Sequence, residues 1–123
     1  MIESAFPILE VPDVNRALSF YREVLGAEVV YRFPEEGDPV YLSLRLGSSS
    51  LGLGLTDADT VTASVILWLY VDDVDAATDA VRSAGFTVSE EPIDQPWGER
   101  VSLVLDPFGF RVRLGAATST SST

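Results

Sequence analysis

An α+β fold of two tandem βαβββ modules, forming curved mixed sheets, is predicted for these 123 residues by three features. These are an internal repeat, two helical patterns each closed by a glycine, and strand-like runs separated by turn residues. Val11-Pro12-Asp13-Val14-Asn15-Arg16-Ala17 recurs as Val71-Asp72-Asp73-Val74-Asp75-Ala76-Ala77, sixty positions later, with Val, Asp, Val and Ala in register.

Asp13 and Asp73 each follow an apolar run and precede a helical pattern, so each is placed to cap the orphan N–H groups of its helix, a structural role. Val14, Ala17, Phe20, Tyr21, Val24 and Leu25 keep helical spacing and Gly26 ends the pattern. In the second half Ala77, Ala80, Val81 and Ala84 do the same before Gly85. Short strands follow, Ala27 to Phe33 and Phe86 to Ser89, and then two more per half. In the first half these are Val40 to Leu46 and Leu51 to Leu55, joined by Gly47-Ser48-Ser49-Ser50. In the second they are Arg100 to Leu105 and Phe110 to Leu114, joined by Asp106-Pro107-Phe108-Gly109. The chain therefore reads as a single domain over 1–123, with a first module at 4–55, a polar linker at 56–63, a second module at 64–115 and a Ser/Thr-rich tail at 116–123 expected to be disordered.

Composition narrows the partners. Nineteen acidic residues against eight basic ones give a net charge of −11, which repels nucleic acid and anionic membranes and attracts cations. Cysteine and histidine are both absent, so there is no disulfide framework and no thiolate nucleophile, and any metal would have to be held by oxygen. No apolar run reaches membrane-spanning length and Met1-Ile2-Glu3-Ser4 does not read as a signal sequence, so a cytoplasmic location is expected.

Strand alternation then sorts the faces. Pro7, Leu9 and Val11 are expected under the first helix, with Phe6, Ile8 and Glu10 opposite. Leu67, Leu69 and Val71 take the helix side of the second half, leaving Ile66, Trp68 and Tyr70 on the other face. Leu53, Leu55, Val112 and Leu114 join the helix side, whereas Gly52, Gly54, Tyr41, Ser43, Arg45, Arg111 and Arg113 fall opposite. A surface of Tyr, Trp, Arg, Ser and Gly is poor material for a dry core and suits a concave site with aromatic walls. The alternative is a solvated face or a subunit contact.

A tandem βαβββ chain with Val-x-Asp before each helix resembles the glyoxalase, bleomycin-resistance and extradiol-dioxygenase superfamily, also called vicinal oxygen chelate. The resemblance runs over residues 4–115 and is sharpest at Ala17-Leu18-Ser19-Phe20-Tyr21 with Leu25-Gly26, at Pro96-Trp97-Gly98-Glu99-Arg100 and at Asp106-Pro107-Phe108-Gly109. It implies the glyoxalase/bleomycin-resistance fold. In metal-dependent members the ligands come from the first and last strand of each half, and the matching positions here hold Phe6, Gly54, Ile66 and Arg113. None is a side-chain metal ligand, and Arg113 would set a fixed cation at the metal's place. The resemblance thus points to the metal-free, bleomycin-resistance-like branch, whose members sequester drugs in grooves formed by a dimer, with no cofactor.

On that reading the ligand-binding residues are Phe6 at the cavity floor, Tyr41 opposite, and Trp68 and Tyr70 as stacking walls, with Glu10, Arg45, Arg111 and Arg113 as polar anchors. Trp97, between Pro96 and Gly98, is either a lid over a ligand or a pin holding its loop to the body. The expected function is non-catalytic capture of a small aromatic or cationic compound, such as an antibiotic, by a homodimer. The alternatives are a metal-independent enzyme using Glu10 or Tyr70 as proton carrier, and a scaffold or regulatory module without a ligand. Glu35-Glu36-Asp38, Asp57-Asp59 and Glu90-Glu91-Asp94 read as solvated loop charge.

Overall fold

Asp13 and Asp73 take extended backbone and accept, at 3.0 Å, from the N–H of Arg16 and Ala76, so each helix starts where the repeat places its aspartate. The computed structural model describes residue 1 and residues 3–57 and 65–118. It divides the chain into two units, Met1–Val61 and Thr62–Thr123.

The first unit runs β1 (Ile8–Val11), α1 (Val14–Tyr21), β2 (Glu28–Phe33), β3 (Tyr41–Leu46) and β4 (Ser49–Leu55). The second repeats it as β5 (Ile66–Tyr70), α2 (Val74–Ser83), β6 (Val88–Asp94), β7 (Glu99–Leu105) and β8 (Arg111–Ala117). Each unit is one four-stranded mixed sheet, ordered β1-β4-β3-β2 in the first and β5-β8-β7-β6 in the second. In each, the first and last strands pair in parallel and the other neighbours are antiparallel.

One face of each sheet is dry. Leu9, Val11, Leu42, Leu44, Leu51 and Leu53 bury against Val14, Ala17, Leu18 and Tyr21, and each such aliphatic side chain contributes about 1.5–3 kcal/mol relative to exposure. In the second unit Val112, Leu114 and Val104 face Val74, Thr78 and Val81. Asp106 is buried and accepts from the N–H groups of Phe108 at 2.8 Å and Phe110 at 2.9 Å. Gly109, at φ +90°, completes that turn in a conformation that suits glycine.

Several expectations need correction. α1 ends at Tyr21, short of Leu25, because Glu23 and Leu25 donate to Leu18 and Phe20, five residues back, and the backbone widens before Gly26. In α2, Ala80 and Ala84 are exposed, and the buried face is completed by Thr78, whose hydroxyl donates to the Val74 carbonyl at 2.7 Å and lies 2.8 Å from Ser102 Oγ. Leu55 pairs with Val11 but is 46% exposed, because it closes its strand beyond the cover of α1. Ala116 and Ala117, expected in a disordered tail, extend β8, since β7 starts at Glu99 and offers Arg100 and Glu99 as partners. Thr118 then bonds to the Gly98 carbonyl. Most of the predicted linker, 58–63, and the tail from 119 onward lie outside the described residues.

Candidate functional site

Strand register places the side chains of the face turned away from each helix. In the first unit Ile8 pairs with Gly52 and Glu10 with Gly54, and β3 adds Tyr41 and Ser43 beside those glycines and Arg45 beside Ser50. β2 brings Phe33 opposite Tyr41, Tyr31 opposite Ser43 and Glu28 opposite Arg45. The Tyr31 and Tyr41 rings lie 6.2 Å apart, and Arg45 Nη2 meets Glu28 Oε2 at 2.5 Å. A Cβ at Gly52 would stand 2.7 Å from the Tyr41 hydroxyl and 2.9 Å from Ile8 Cγ1, so the glycine makes room for the ring. Phe6 precedes β1 and is 51% exposed, and Glu10 is also exposed.

In the second unit the rows across the sheet are Ile66, Arg111 and Leu105; then Trp68, Arg113 and Leu103; then Tyr70, Gly115 and Val101; then Ala117 and Glu99. Val101 and Leu103 are buried and give this face an apolar floor. Trp68 lies over Gly115, where a Cβ would be 3.1 Å from the indole nitrogen. Trp68 and Tyr70 have ring centroids 6.3 Å apart and stay open to solvent, 42% and 69% exposed. Arg113 Nη1 bonds Glu90 Oε1 at 3.0 Å, while Arg111 is half-buried.

Trp97 sits in a tight turn in which Gln95 N–H donates to the Glu99 carbonyl at 2.6 Å and Gly98 N–H to Gln95 at 3.1 Å, with Gly98 at φ +97°. Its indole N–H donates to Glu99 Oε1 at 2.7 Å while the ring remains 61% exposed. The pin is therefore in place and the ring face is still open. Tyr70 shares the same carboxylate: its hydrogen bond to Glu99, then burial, then the charge of Glu99 raise its pKa above the ordinary tyrosine value, against a smaller lowering by Trp68. A phenol so raised is a poorer proton carrier at neutral pH, which weighs against Tyr70 as an acid–base group.

The structure thus brings Trp68, Tyr70 and Trp97 into one cluster, places Arg111 and Arg113 further along the same sheet face, and collects Tyr41, Arg45 and Glu10 on the first unit's face. Sequence reading missed Tyr31, Glu28, Gly115 and above all Glu99. β7 begins one residue earlier than expected, and the alternation Glu99, Val101, Leu103 carried the missing signal. Glu90, Glu91 and Asp94, expected as solvated loop charge, lie in β6 and are paired with Arg113, Arg82 and Arg100.

The positions that the resemblance assigns to metal ligands do not fit a metal. Gly54 carries no donor and backs onto Ile8, with 3.6 Å from its would-be Cβ to Ile8 Cγ2. Phe6 and Ile66 are exposed apolar side chains, and Arg113 holds a guanidinium against Glu90.

The chain matches the family model described as Glyoxalase/Bleomycin resistance protein/Dioxygenase superfamily over residues 7–114. It is 31% identical over 121 residues to an uncharacterized protein of Mycobacterium bovis, a match covering 89% of this chain and 80% of that one. It is also 30% identical over 126 residues to the lactoylglutathione lyase of Haemophilus influenzae, covering 94% and 93% of the two chains. The crystal structure of a bleomycin resistance determinant encoded on the transposon Tn5 superposes with a TM-score of 0.71 at 24% identity, covering 94% of this chain and 98% of that one, a likeness of fold. Two four-stranded mixed sheets, each backed by one helix, together with this match over nearly the whole sequence, mean that the chain belongs to the glyoxalase/bleomycin resistance protein/dioxygenase superfamily.

Proposed function

We propose that this protein captures a small aromatic or cationic compound without transforming it, in the manner of a bleomycin-resistance protein, and that an antibiotic is the physiological ligand. The observation that carries the reading is the open aromatic cluster of the second unit, where Trp68 lies on Gly115 beside Tyr70 and an anchored but exposed Trp97. Large rings left facing solvent over the buried Val101 and Leu103 are suited to stacking on a flat ligand. The protein acts as a cytoplasmic homodimer on this reading, and the first unit's Phe6, Glu10, Tyr41 and Arg45 contribute to binding along with Arg111 and Arg113. No described helix is long and apolar enough to cross a membrane.

Tryptophan fluorescence tests the proposal, since Trp68 and Trp97 both belong to the cluster. Titration with metal-free bleomycin and a panel of planar antibiotics is expected to give saturable quenching at a fixed stoichiometry, lost in Trp68→Ala. A flat response to every compound counts against capture. The likeness to the lactoylglutathione lyase of Haemophilus influenzae favours a second reading, a metal-independent enzyme of the same fold. Turnover of lactoylglutathione by chelator-treated protein would establish it.

A further inference from the structure

We propose that the aromatic face of the second unit recognises an organic cation, a planar ring bearing a fixed positive charge, with Glu99 as counter-charge and Trp97, Tyr70 and Trp68 as walls. This rests on the capture reading and names its ligand class. The first support is the distribution of charge. Several ion pairs within 4 Å join described residues. Among them Glu28 and Glu90, on the two open sheet faces, are each met by an arginine, and none involves Glu99.

Glu99 is held instead by a neutral donor. Trp97 Nε1 bonds its Oε1 at 2.7 Å, and Tyr70 is near enough for the same carboxylate to raise its pKa. A donor of this kind fixes the orientation of a carboxylate without cancelling its charge. The next residue, Arg100, is tied to Asp75 at 3.0 and 3.1 Å and to Asp94 at 3.1 Å, so its charge is already compensated on the helix side of the sheet. Arg111 and Arg113 stand six and four residues before Ala117, the register partner of Glu99.

The second support is the company the carboxylate keeps. Aromatic faces attract a cation through their quadrupole, most strongly for Trp, and the half-buried Glu99 carboxylate is bonded by Trp97 on the sheet face that also carries Tyr70 and Trp68. A neutral planar ligand stacked there would strip water from Glu99 without replacing it, so the site discriminates against the uncharged form of the same shape. The net charge of −11 adds long-range attraction for cations.

Isothermal titration of the full chain with N-methylquinolinium and with 1-methylnaphthalene, the same two-ring shape without charge, tests the assignment. The cation is expected to bind once per chain and at least about tenfold more tightly than its neutral isostere. Glu99→Gln is expected to erase that preference by weakening the cation while leaving 1-methylnaphthalene bound, which also reports that the variant is folded. Trp97→Phe, which keeps the carboxylate, retains the preference. Equal affinity of the native protein for the two probes, or a preference that survives Glu99→Gln, overturns the cation assignment and leaves capture standing. Absence of binding by either probe overturns both.

Discussion

Gly52 and Gly115 show how a residue without a side chain shapes a face. Each leaves room for an aromatic ring laid across the sheet, Tyr41 in one unit and Trp68 in the other. Gly52→Ala is expected to cost about 1–3 kcal/mol in denaturant unfolding, since its Cβ would sit under 3 Å from both Tyr41 and Ile8. Adding Tyr41→Phe removes the nearest of those contacts and should recover part of the loss. Tyr70 offers a test in the alkaline range. Its pKa is raised, chiefly through Glu99, so the stabilisation it contributes is complete below the ordinary tyrosine range and is lost as pH rises through the raised value. Phenolate absorbance should show a late-titrating step that is lost in Tyr70→Phe and moves down toward the ordinary range in Glu99→Gln.

At the scale of elements, the caps, the glycine stops and the strand order of each half follow from sequence pattern, because Asp13, Asp73, Gly26 and Gly85 act through local backbone chemistry. Side-chain parity was legible too: Leu9 and Val11 are buried while Ile8 and Glu10 are exposed. What the pattern did not reveal depends on contacts distant in sequence. Thr78 looks like a polar interruption in α2, yet it is fully buried because Ser102, on β7, supplies a partner at 2.8 Å. Thr78→Val is expected to destabilise by about 1–3 kcal/mol by stranding the Ser102 hydroxyl, and Thr78→Val with Ser102→Ala should cost less than the sum of the single changes. Equilibrium denaturation of the four proteins would measure this coupling. Glu90 was hidden for a related reason, since β6 runs beyond the residues that apolar alternation marks, whereas Glu99 could have been found by carrying the parity of Val101 and Leu103 one step back.

For the whole molecule, repetition was the decisive signal, because a recurring Val-x-Asp-Val frame at a spacing of half the chain specifies two copies of one unit before any single motif is read. The superfamily was legible for that reason. The aromatic cluster was legible in part, as Trp68, Tyr70 and Trp97, but the carboxylate that joins Tyr70 to Trp97 was not, because that link is made by a turn and two separate strands. Homodimer formation belongs to this scale: sedimentation equilibrium is expected to give twice the 13.3 kDa chain mass, and a monomer at all concentrations would exclude it. The central claim, capture without chemistry, is tested most directly by native mass spectrometry of the chelator-treated protein with metal-free bleomycin, followed by release and recovery of the compound. The account predicts a complex of fixed stoichiometry and a compound recovered unchanged. No complex, or a compound returned with an altered mass, would contradict it.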